Sequence, residues 1–398
     1  MRLHLRSHTN RALLSKISWT IKTHKEPGQI SARLIHSGRG HLASIASGFL
    51  DAFFELQLAN AEHLCSSTDD LLRKLRGKVV ARGAVLVKLD VKDFYMRGAH
   101  DVLIDQCSKS IDFKFQEVAG GLLLHVLHYQ FVVNPLTNDL FQVVCGSGMG
   151  QRHSGSVSDF ALWQLMEKGL VIGTSVPCRA EVYLRFRDDI LMVCNDEAQA
   201  WQLVDELRER ASRCWELELE RMSPFFAPML DVLIFKKKLG VSSSICWKPY
   251  TKPTARHLPL HPCSKHPRST HMSWPIAECV RFFRTNFARG DFETRKRAFV
   301  EKLRHHFFDS EIIQACINWK YPRVTGCFAL QVQEQESRAR VVRLVLPYCQ
   351  CLSKSLARVI RQVHSPSLWS YLRMPEMNIS ISNATSGRNL MLEFRQLL

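Results

Sequence analysis

The amino-acid sequence predicts an α+β fold, in which an antiparallel sheet backed by helices is followed by a helical unit. In the middle of the chain, short apolar runs rich in β-branched residues alternate with segments whose apolar residues recur at helical spacing. Their order is strand, hairpin, helix, hairpin, helix and hairpin. From about residue 274 to about residue 319 the helical period continues alone. These observations indicate a mixed unit and, after it, a helical one.

The composition favours a polyanionic partner. Lys and Arg number 54 against 37 Asp and Glu, a net charge of +17, and hydrophobic residues make up 46%, which permits a sizeable core. Residues 1–50 contain eight Lys or Arg and one acid, and residues 251–320 contain thirteen and six. Two basic segments therefore flank the middle of the chain, and nucleic acid is the first candidate partner.

The thirteen Cys form no Cys-x-x-Cys pair, which indicates reduced thiols in an intracellular protein, nuclear or cytoplasmic. No apolar stretch reaches the length of a membrane span. The first 25 residues lack acids, as transit peptides do, but the overall charge pattern favours a basic segment that faces nucleic acid.

The first third of the chain contains signals for a hairpin and two helices. Residues 20–40 place two β-prone runs around Pro27-Gly28, a turn pair. Residues 41–62 have an amphipathic helical period, whose Phe residues are assigned to the core. Asp69-Asp70 precede a helical pattern with a basic end, so this acidic pair is interpreted as a helix N-terminus.

The elements beyond it follow from the same signals. An apolar run from Ala84 ends at Asp90 and predicts a strand. The further predicted elements are a hairpin over 132–143, a helix that opens at Ser154, a helix over 197–213 and a hairpin over 229–247. Residues 365–398 are weakly patterned.

The acidic pair Asp188-Asp189 lies between two apolar runs, a pattern that predicts a hairpin whose turn carries two carboxylates. Such placement costs stability unless a cation or solvent compensates. With Asp90 at the end of another strand, three carboxylates at strand ends form the minimal equipment for two-metal nucleotidyl transfer. Taken alone, the pair is equally compatible with an ordinary acidic turn.

Two features near these carboxylates are candidate nucleotide contacts. Tyr95 would lie under the incoming sugar, where an aromatic ring rejects a ribose 2′-OH; ordinary packing is the alternative. The loop Gly146-Ser-Gly-Met-Gly150 precedes a helix, and its backbone can approach a base or sugar closely, although such loops are more often plain turns.

The basic and His-rich segments leave their roles open. Cations on the first hairpin could neutralise a triphosphate or simply be solvated: Lys22, Lys25 and Arg33. A later loop contains His257, His261, Cys263, His266 and His271. Its spacing fits no common tetrahedral zinc pattern, so contact with backbone phosphates is the preferred interpretation.

Together these segments resemble the reverse transcriptases of Penelope-like retroelements, relatives of telomerase reverse transcriptase. The resemblance runs in order over roughly residues 20–365. It is carried by Lys22-Thr-His-Lys-Glu-Pro-Gly28, Arg33-Leu-Ile-His-Ser37, Leu89-Asp-Val-Lys-Asp-Phe-Tyr95, Gly148-Met-Gly150, Phe186-Arg-Asp-Asp189, Leu230-Asp-Val-Leu233, Trp247-Lys-Pro249, His266-Pro-Arg-Ser269 and Leu346-Pro-Tyr348.

The resemblance implies a right-hand polymerase fold. Its fingers would span 1–83, its palm 84–250 with a hairpin insertion over 111–144, its helical thumb 251–345 and a C-terminal extension 346–398. It also implies RNA-templated DNA synthesis from a DNA primer and dNTPs with two Mg²⁺ ions. A catalytically decayed copy that still binds RNA is the alternative, and a phosphotransferase of unrelated fold is a remote third.

The resemblance also implies residue roles. Asp90, Asp188 and Asp189 would be catalytic and would hold the metals. Residues expected to meet the nucleotide are Lys22, Lys25, Arg33, Tyr95, Gly148, Met149 and Gly150. Residues expected to meet nucleic acid are Arg187, Trp247, Lys248, His266 and Arg268.

Three departures from the family pattern bear on activity. Arg187 stands where a small or apolar residue is usual, and it would put a cation beside the metals or against the primer. Residues 151–155 lack the two expected prolines. The segment before the first motif is short, so the leading part of the fingers is expected to be missing.

Overall fold

A computed structural model describes residues 14–21, 32–38, 43–170, 180–251, 260–287, 289–320, 343–346, 376–384 and 387–395. The strands are β1 (Ser15–Ile21), β2 (Ala32–Ser37), β3 (Val79–Ala81), β4 (Val85–Val91), β5 (Phe131–Val133), β6 (Leu140–Gln142), β7 (Ala180–Phe186), β8 (Asp189–Cys194), β9 (Leu217–Ser223), β10 (Phe226–Met229), β11 (Val232–Leu239), β12 (Ser242–Pro249), β13 (Arg343–Leu346), β14 (Glu376–Ala384) and β15 (Gly387–Arg395). The helices are α1 (Ser44–Leu58), α2 (Thr68–Leu75), α3 (His100–Lys109), α4 (Phe113–His128), α5 (Ser154–Leu162), α6 (Glu197–Ala211), α7 (Arg268–Thr285), α8 (Arg289–His305) and α9 (Ser310–Asn318), and a π-helical turn, Trp163–Glu167, continues α5. The mixed fold predicted from the sequence is confirmed.

A central antiparallel sheet with the strand order β7-β8-β4-β9 organises the molecule. Alternate residues of β4 point to opposite faces of this sheet. Val87 and Leu89 lie in a core formed with α1 and α3–α6, and Leu86 lies in a second core with α2 and the sheet β10-β11-β12-β3. Because both faces are covered, the strand sequence is almost continuously apolar.

The helices follow the sequence signals. In α1, Leu50, Phe53 and Phe54 are buried in the main core, where Phe53 packs against Phe115 of α4 and Phe54 against Phe160 of α5, as the helical period predicted. The acidic pair at 69–70 lies in the first turn of α2, where the Ser67 side chain accepts a hydrogen bond from the Asp70 amide (3.2 Å). This pair is therefore a helix N-terminus, as expected.

A smaller sheet has the order β2-β1-β5-β6 and contains the antiparallel pair β1 and β2. The hairpin was predicted over 20–40, but β1 begins five residues earlier, at Ser15, and the Pro27-Gly28 turn lies outside the described residues. β1 runs parallel to β5, and β5 and β6 form the hairpin predicted over 132–143. The segment 111–144 is not wholly a hairpin, however. Its first half is the helix α4, whose residues Phe115, Leu123 and Leu127 are buried in the main core.

The helices α7–α9 pack around a separate core that includes Cys279, Leu303 and Cys316. The strands β13–β15 pair in the order β13-β15-β14, in a region where the sequence pattern is weak. Within the described part of the chain, no helix is long and apolar enough to span a membrane.

Candidate active site

The predicted carboxylate hairpin is formed by β7 and β8, in which Phe186 and Asp189 are cross-strand partners. Arg187 and Asp188 make the two-residue turn between them, and Arg187 has a φ of +54°. The amide of Val91 donates a hydrogen bond to the Asp188 carbonyl (2.9 Å), so the turn is attached to the end of β4.

The structure brings the three predicted carboxylates together. Asp90 and Asp189 are cross-strand partners of β4 and β8, so both side chains leave the same face of the sheet. Burial, followed by the nearby Asp188 charge, raises the pKa of Asp90 to about 6. Burial and the charge of Asp189 likewise raise the pKa of Asp188. Mutual repulsion of this kind favours a bound cation.

A residue that the sequence reasoning missed, Lys88, contacts this cluster. It lies two residues before Asp90 on the same face of β4, and its side chain is only 3% exposed. Its ammonium group forms an ion pair with Asp189 and lies 3.3 Å from Oε2 of Glu220. It also donates to the Leu89 carbonyl (2.8 Å). The positive charge beside Asp189 is therefore supplied by the protein itself.

The carboxylates fit a divalent ion unequally. Within the described residues, no three His, Cys, Asp or Glu side chains are already arranged as a metal-binding group. Asp90 and Asp188, whose pKa values are raised by burial and then by neighbouring carboxylates, have the hard oxygen donors that Mg²⁺ prefers. Asp189 also has them, but Lys88 engages one of its oxygens.

The glycine loop lies directly against the segment that follows Asp90. The carbonyl of Tyr95 accepts hydrogen bonds from the amides of Ser147 (2.9 Å) and Gly148 (3.1 Å). Gly146 has a φ of +73°, and a Cβ there would lie 2.5 Å from the Tyr95 carbonyl oxygen. The conformation and the space thus both require glycine. The partly buried Tyr95 packs against the main core, next to this loop.

The cations of the first hairpin are only partly described. Lys22 and Lys25 lie outside the described residues, whereas Arg33 lies exposed on β2. The charge of Arg33 lowers the pKa of Asp188, although burial and Asp189 outweigh it. The amide of His36, on the same strand, donates to the Met149 carbonyl (2.6 Å), so this hairpin also holds the glycine loop.

Arg187 does not point at the carboxylates as a free cation. Its guanidinium forms an ion pair with Asp159 of α5, and its side chain remains 37% exposed. A Cβ at Gly155 would lie 2.8 Å from Nη1 of Arg187, so the guanidinium packs on the helix backbone at this glycine. The departure from the family pattern is therefore matched by a counter-ion in the described structure.

The sequence reasoning also missed a buried ionic cluster beneath the turn. Arg185 of β7 is fully buried, and it contacts both Glu167 and Asp159. In the sequence, Tyr183, Arg185 and Arg187 are two residues apart, so a strand places them on one face, and their polar side chains give no sign that this face is buried. Its partners lie 18 and 26 residues away, so no local pattern could reveal them.

Among the residues predicted to contact nucleic acid, one has a buried side chain and others have exposed side chains. Trp247 is a core residue of the β10-β11-β12-β3 sheet, 4% exposed and packed edge-on against Phe287, so its prediction as a nucleic-acid contact is wrong for the ring. Lys248 is exposed. His266 and Arg268 are exposed too, and Arg268 pairs with Glu311 (2.7 Å).

In the described part of the His-rich loop, no three His, Cys, Asp or Glu side chains are arranged as a metal-binding group. His257 lies outside the described residues. Nδ1 of His266 contacts the Ser264 hydroxyl (2.6 Å), and Nε2 of His271 contacts the Ser264 carbonyl (3.0 Å). These imidazoles therefore have local hydrogen-bond partners.

Comparison with solved structures identifies a polymerase fold. The chain is similar to the RNA-dependent RNA polymerase of a human picorbirnavirus, with a TM-score of 0.51 and 12% identity over 77% of this chain and 57% of that one. It is also similar to the BmCPV RNA-dependent RNA polymerase at elongation state, with a TM-score of 0.50 and 9% identity over 97% of this chain and 30% of that one. Apo telomerase from Candida Tropicalis aligns at a TM-score of 0.48 and 13% identity over 80% of this chain and 60% of that one.

The likeness to the two viral enzymes shows the fold alone, and this chain spans less than two thirds of the length of each. No family model matches the chain. No curated protein matches it either. The class is thus a mixed helix-and-sheet chain with the fold of nucleic-acid polymerases.

Proposed function

We propose that the chain is an RNA-directed DNA polymerase of a Penelope-like retroelement. It would extend a DNA primer with dNTPs on an RNA template. The observation that carries the proposal is the convergence of Asp90, Asp188 and Asp189 at the ends of adjoining strands in a polymerase fold. In this assignment residues 1–83 are the fingers, 84–250 the palm, 251–345 the thumb and 346–398 an extension.

Asp90 and Asp188 would hold Mg²⁺, with Asp189 as a further ligand. When bound, two Mg²⁺ ions activate the primer 3′-OH and stabilise charge on the leaving pyrophosphate. The protein keeps the carboxylates partly buried and close together, so that their repulsion is relieved by a cation. Lys88 balances Asp189 before any metal arrives.

The nucleotide would lie between the first hairpin and the glycine loop. Arg33, with Lys22 and Lys25, would meet the triphosphate, and the charge of Arg33 already reaches Asp188. Tyr95 would exclude a ribose 2′-OH from below the sugar. Backbone at Gly148, Met149 and Gly150 would approach the template-side base or sugar.

The nucleic-acid contacts would be cationic. Lys248, His266 and Arg268 are exposed. His266 and Arg268 belong to residues 251–320, in which basic residues exceed acidic ones by seven. Such side chains position a duplex through its phosphates. Arg187, at the turn itself, would meet the primer terminus through the exposed part of its side chain.

Primer extension tests the proposal. We expect the purified chain to add dNTPs to a primer annealed to RNA, only with a divalent ion, and to use rNTPs poorly. Tyr95→Ala should raise rNTP use relative to dNTP use, because the ring then no longer obstructs the 2′-OH. Extension with rNTPs alone would indicate an RNA polymerase, the activity named for the viral structural neighbours.

The second candidate is a decayed copy of the same fold that binds RNA without catalysis. The contact between Lys88 and Asp189 favours it, because a cation already engages one of the expected metal ligands. RNA binding without extension by a folded protein would support this candidate. Extension would exclude it.

A further inference from the structure

A fully buried arginine lies next to the carboxylate turn. Arg185 is on β7, three residues before Asp188, and its side chain has 0% exposure. A guanidinium stays charged in a protein, so burying it is costly unless every donor finds an acceptor. Apolar side chains of similar volume often stabilise a core as well as a buried ion pair does. Core packing alone therefore does not explain why a charged arginine is buried here.

Its donors are all directed at three residues. Nε and Nη2 donate to the two carboxylate oxygens of Glu167 (2.7 and 3.0 Å) in a bidentate arrangement. Nη1 donates to Oδ1 of Asp159 (2.6 Å), and Nη2 to the Asp159 carbonyl (3.2 Å). Nη1 also donates to the carbonyl of Arg187 (3.0 Å).

The last of these bonds reaches the active site. The carbonyl of Arg187 belongs to the peptide that joins Arg187 to Asp188, so Arg185 fixes the backbone immediately before a predicted metal ligand. Arg187 has a φ of +54°, a conformation that non-glycine residues adopt only when their surroundings enforce it. The side chain of Arg187 is held on Asp159 as well, so two contacts enforce the turn.

Glu167 is itself rigidly held. It is fully buried in the π-helical turn, where it accepts from the Tyr183 hydroxyl (2.8 Å) and contacts Nε2 of His63 (2.7 Å). Burial by itself would raise the pKa of Glu167, but the charges of Arg185 and His63 hold it well below its usual value. Glu167 therefore remains a carboxylate and a strong acceptor. π-helical turns of this kind occur frequently at functional sites.

The helix α5, which continues into this π-helical turn, also contacts the glycine loop. The Ser147 hydroxyl contacts the Ser158 hydroxyl (2.8 Å), and the Ser154 hydroxyl donates to the Ser147 carbonyl (2.8 Å). Asp159 is the next residue of α5 after Ser158. One helix thus fixes the loop on the nucleotide side and, through Arg185, the carboxylate turn.

We propose that Arg185 is a positioning residue, which sets the Asp188 carboxylate against Asp90 by fixing the Arg187–Asp188 peptide from Glu167 and Asp159. This inference rests on the proposed function, and it assigns a role to a residue that contacts no substrate. The inference has two consequences that can be measured. Loss of the guanidinium fork must weaken metal binding and turnover, and comparable loss of stability elsewhere must not.

The experiment compares Arg185→Lys and Glu167→Gln with Leu203→Ala, a core substitution in α6 whose side chain takes part in none of the hydrogen bonds or ion pairs of Arg185. Lysine keeps the charge but cannot make the bidentate contact or reach all three partners. Unfolding midpoints, Mn²⁺ affinity by electron paramagnetic resonance, and kcat and KM for a dNTP are measured for each.

We expect kcat to fall about 10- to 100-fold in Arg185→Lys, because displacement of a reacting group by about 1 Å has an effect of that size. Mn²⁺ affinity should fall about 10-fold or more, as it does when the groups that orient metal ligands are removed. KM should change little. Leu203→Ala should lower the unfolding midpoint and leave Mn²⁺ affinity and kcat unchanged.

If Arg185→Lys does not fold, Arg187→Met breaks only the more exposed contact with Asp159 and should lower kcat and Mn²⁺ affinity to a smaller extent. Wild-type kcat and Mn²⁺ affinity in the folded variants would overturn the inference while leaving the proposed function intact. A wild-type chain that binds Mn²⁺ but extends no primer would overturn the proposed function, and Mn²⁺ affinity would then decide the inference alone. Failure of the wild type to bind Mn²⁺ would overturn both.

Discussion

Without metal, the carboxylate of Asp90 should destabilise the folded protein. Its pKa is raised to about 6, first by burial and then by Asp188, and the described residues offer its side chain no hydrogen bond. Against an unfolded value of about 3.9, the difference is about two pKa units, or ~2.7 kcal/mol. Because the side chain is only partly buried, screening by solvent reduces this to about 1–2 kcal/mol.

The sign follows from proton linkage. A raised carboxyl pKa means that the folded state holds the proton more tightly than the unfolded state does. The destabilisation is therefore fully present above about pH 6, where Asp90 is ionised in both states, and it disappears by about pH 4, where Asp90 is protonated in both.

Asp90→Asn removes this charge with little change in shape. In chelator, urea unfolding at about pH 7.5 should show Asp90→Asn to be more stable than the wild type by about 1–2 kcal/mol, and the gain should shrink as the pH falls to about 4.5. Asp205→Asn, in which the replaced carboxylate is 69% exposed, is the matched control and should change stability little at either pH.

Magnesium provides the second half of this assay. Mg²⁺ should raise the unfolding midpoint of the wild type, and it should do so much less for Asp90→Asn, since a ligand that binds only the folded state stabilises it. A variant less stable than the wild type at about pH 7.5, or a difference that does not vary with pH, would refute the reasoning about repulsion.

Five further substitutions have defined outcomes. Lys88→Met leaves Asp189 without its counter-ion, so in chelator the free energy of unfolding should fall by about 2–4 kcal/mol. Saturating Mg²⁺ should restore much of this stability. Gly146→Ala should cost at least about 2 kcal/mol, because its Cβ would clash with backbone, whereas Gly169→Ala, with a similar φ of +77° and open space around it, should cost about 1 kcal/mol by the same denaturation assay. Trp247→Ala should cost about 3–5 kcal/mol as a core truncation, whereas Lys248→Ala should change stability by less than ~0.5 kcal/mol and weaken RNA retention in a filter-binding assay.

Local patterns were sufficient for the elements that build the site. The apolar run before Asp90 and the runs around Asp188 are short-range signals, because a strand buried on both faces must be apolar at nearly every position. The carboxylates Asp90 and Asp188 come directly after or within these runs in the sequence, so their positions at the strand ends could also be predicted. The glycine loop could also be predicted from the sequence, because its positive φ values favour glycine, and the three glycines therefore mark it.

Contacts between distant residues could not be predicted in this way. Lys88 and Arg185 are charged residues in strands, where alternation normally implies solvent, and their burial depends on partners far away in the sequence. β9 was missed because three charged residues, Glu218, Glu220 and Arg221, interrupt its apolar residues. Trp247 was assigned to nucleic acid by its motif, whereas its ring is buried in the core beside the β10-β11-β12-β3 sheet.

In the proposed function, the carboxylates on β4 and at the β7–β8 turn form the metal site of a template-directed polymerase. Single-turnover addition of one dNTP to a primer on RNA tests this assignment, with the wild type, Asp188→Asn and Asp205→Asn compared at equal folded concentration. We predict Mg²⁺-dependent addition by the wild type and Asp205→Asn, and a loss of at least about 1000-fold in Asp188→Asn, because the amide removes a charged oxygen ligand from the proposed metal site. Equal rates for Asp188→Asn and the wild type, or no addition by a folded wild type on any primed template, would contradict the assignment.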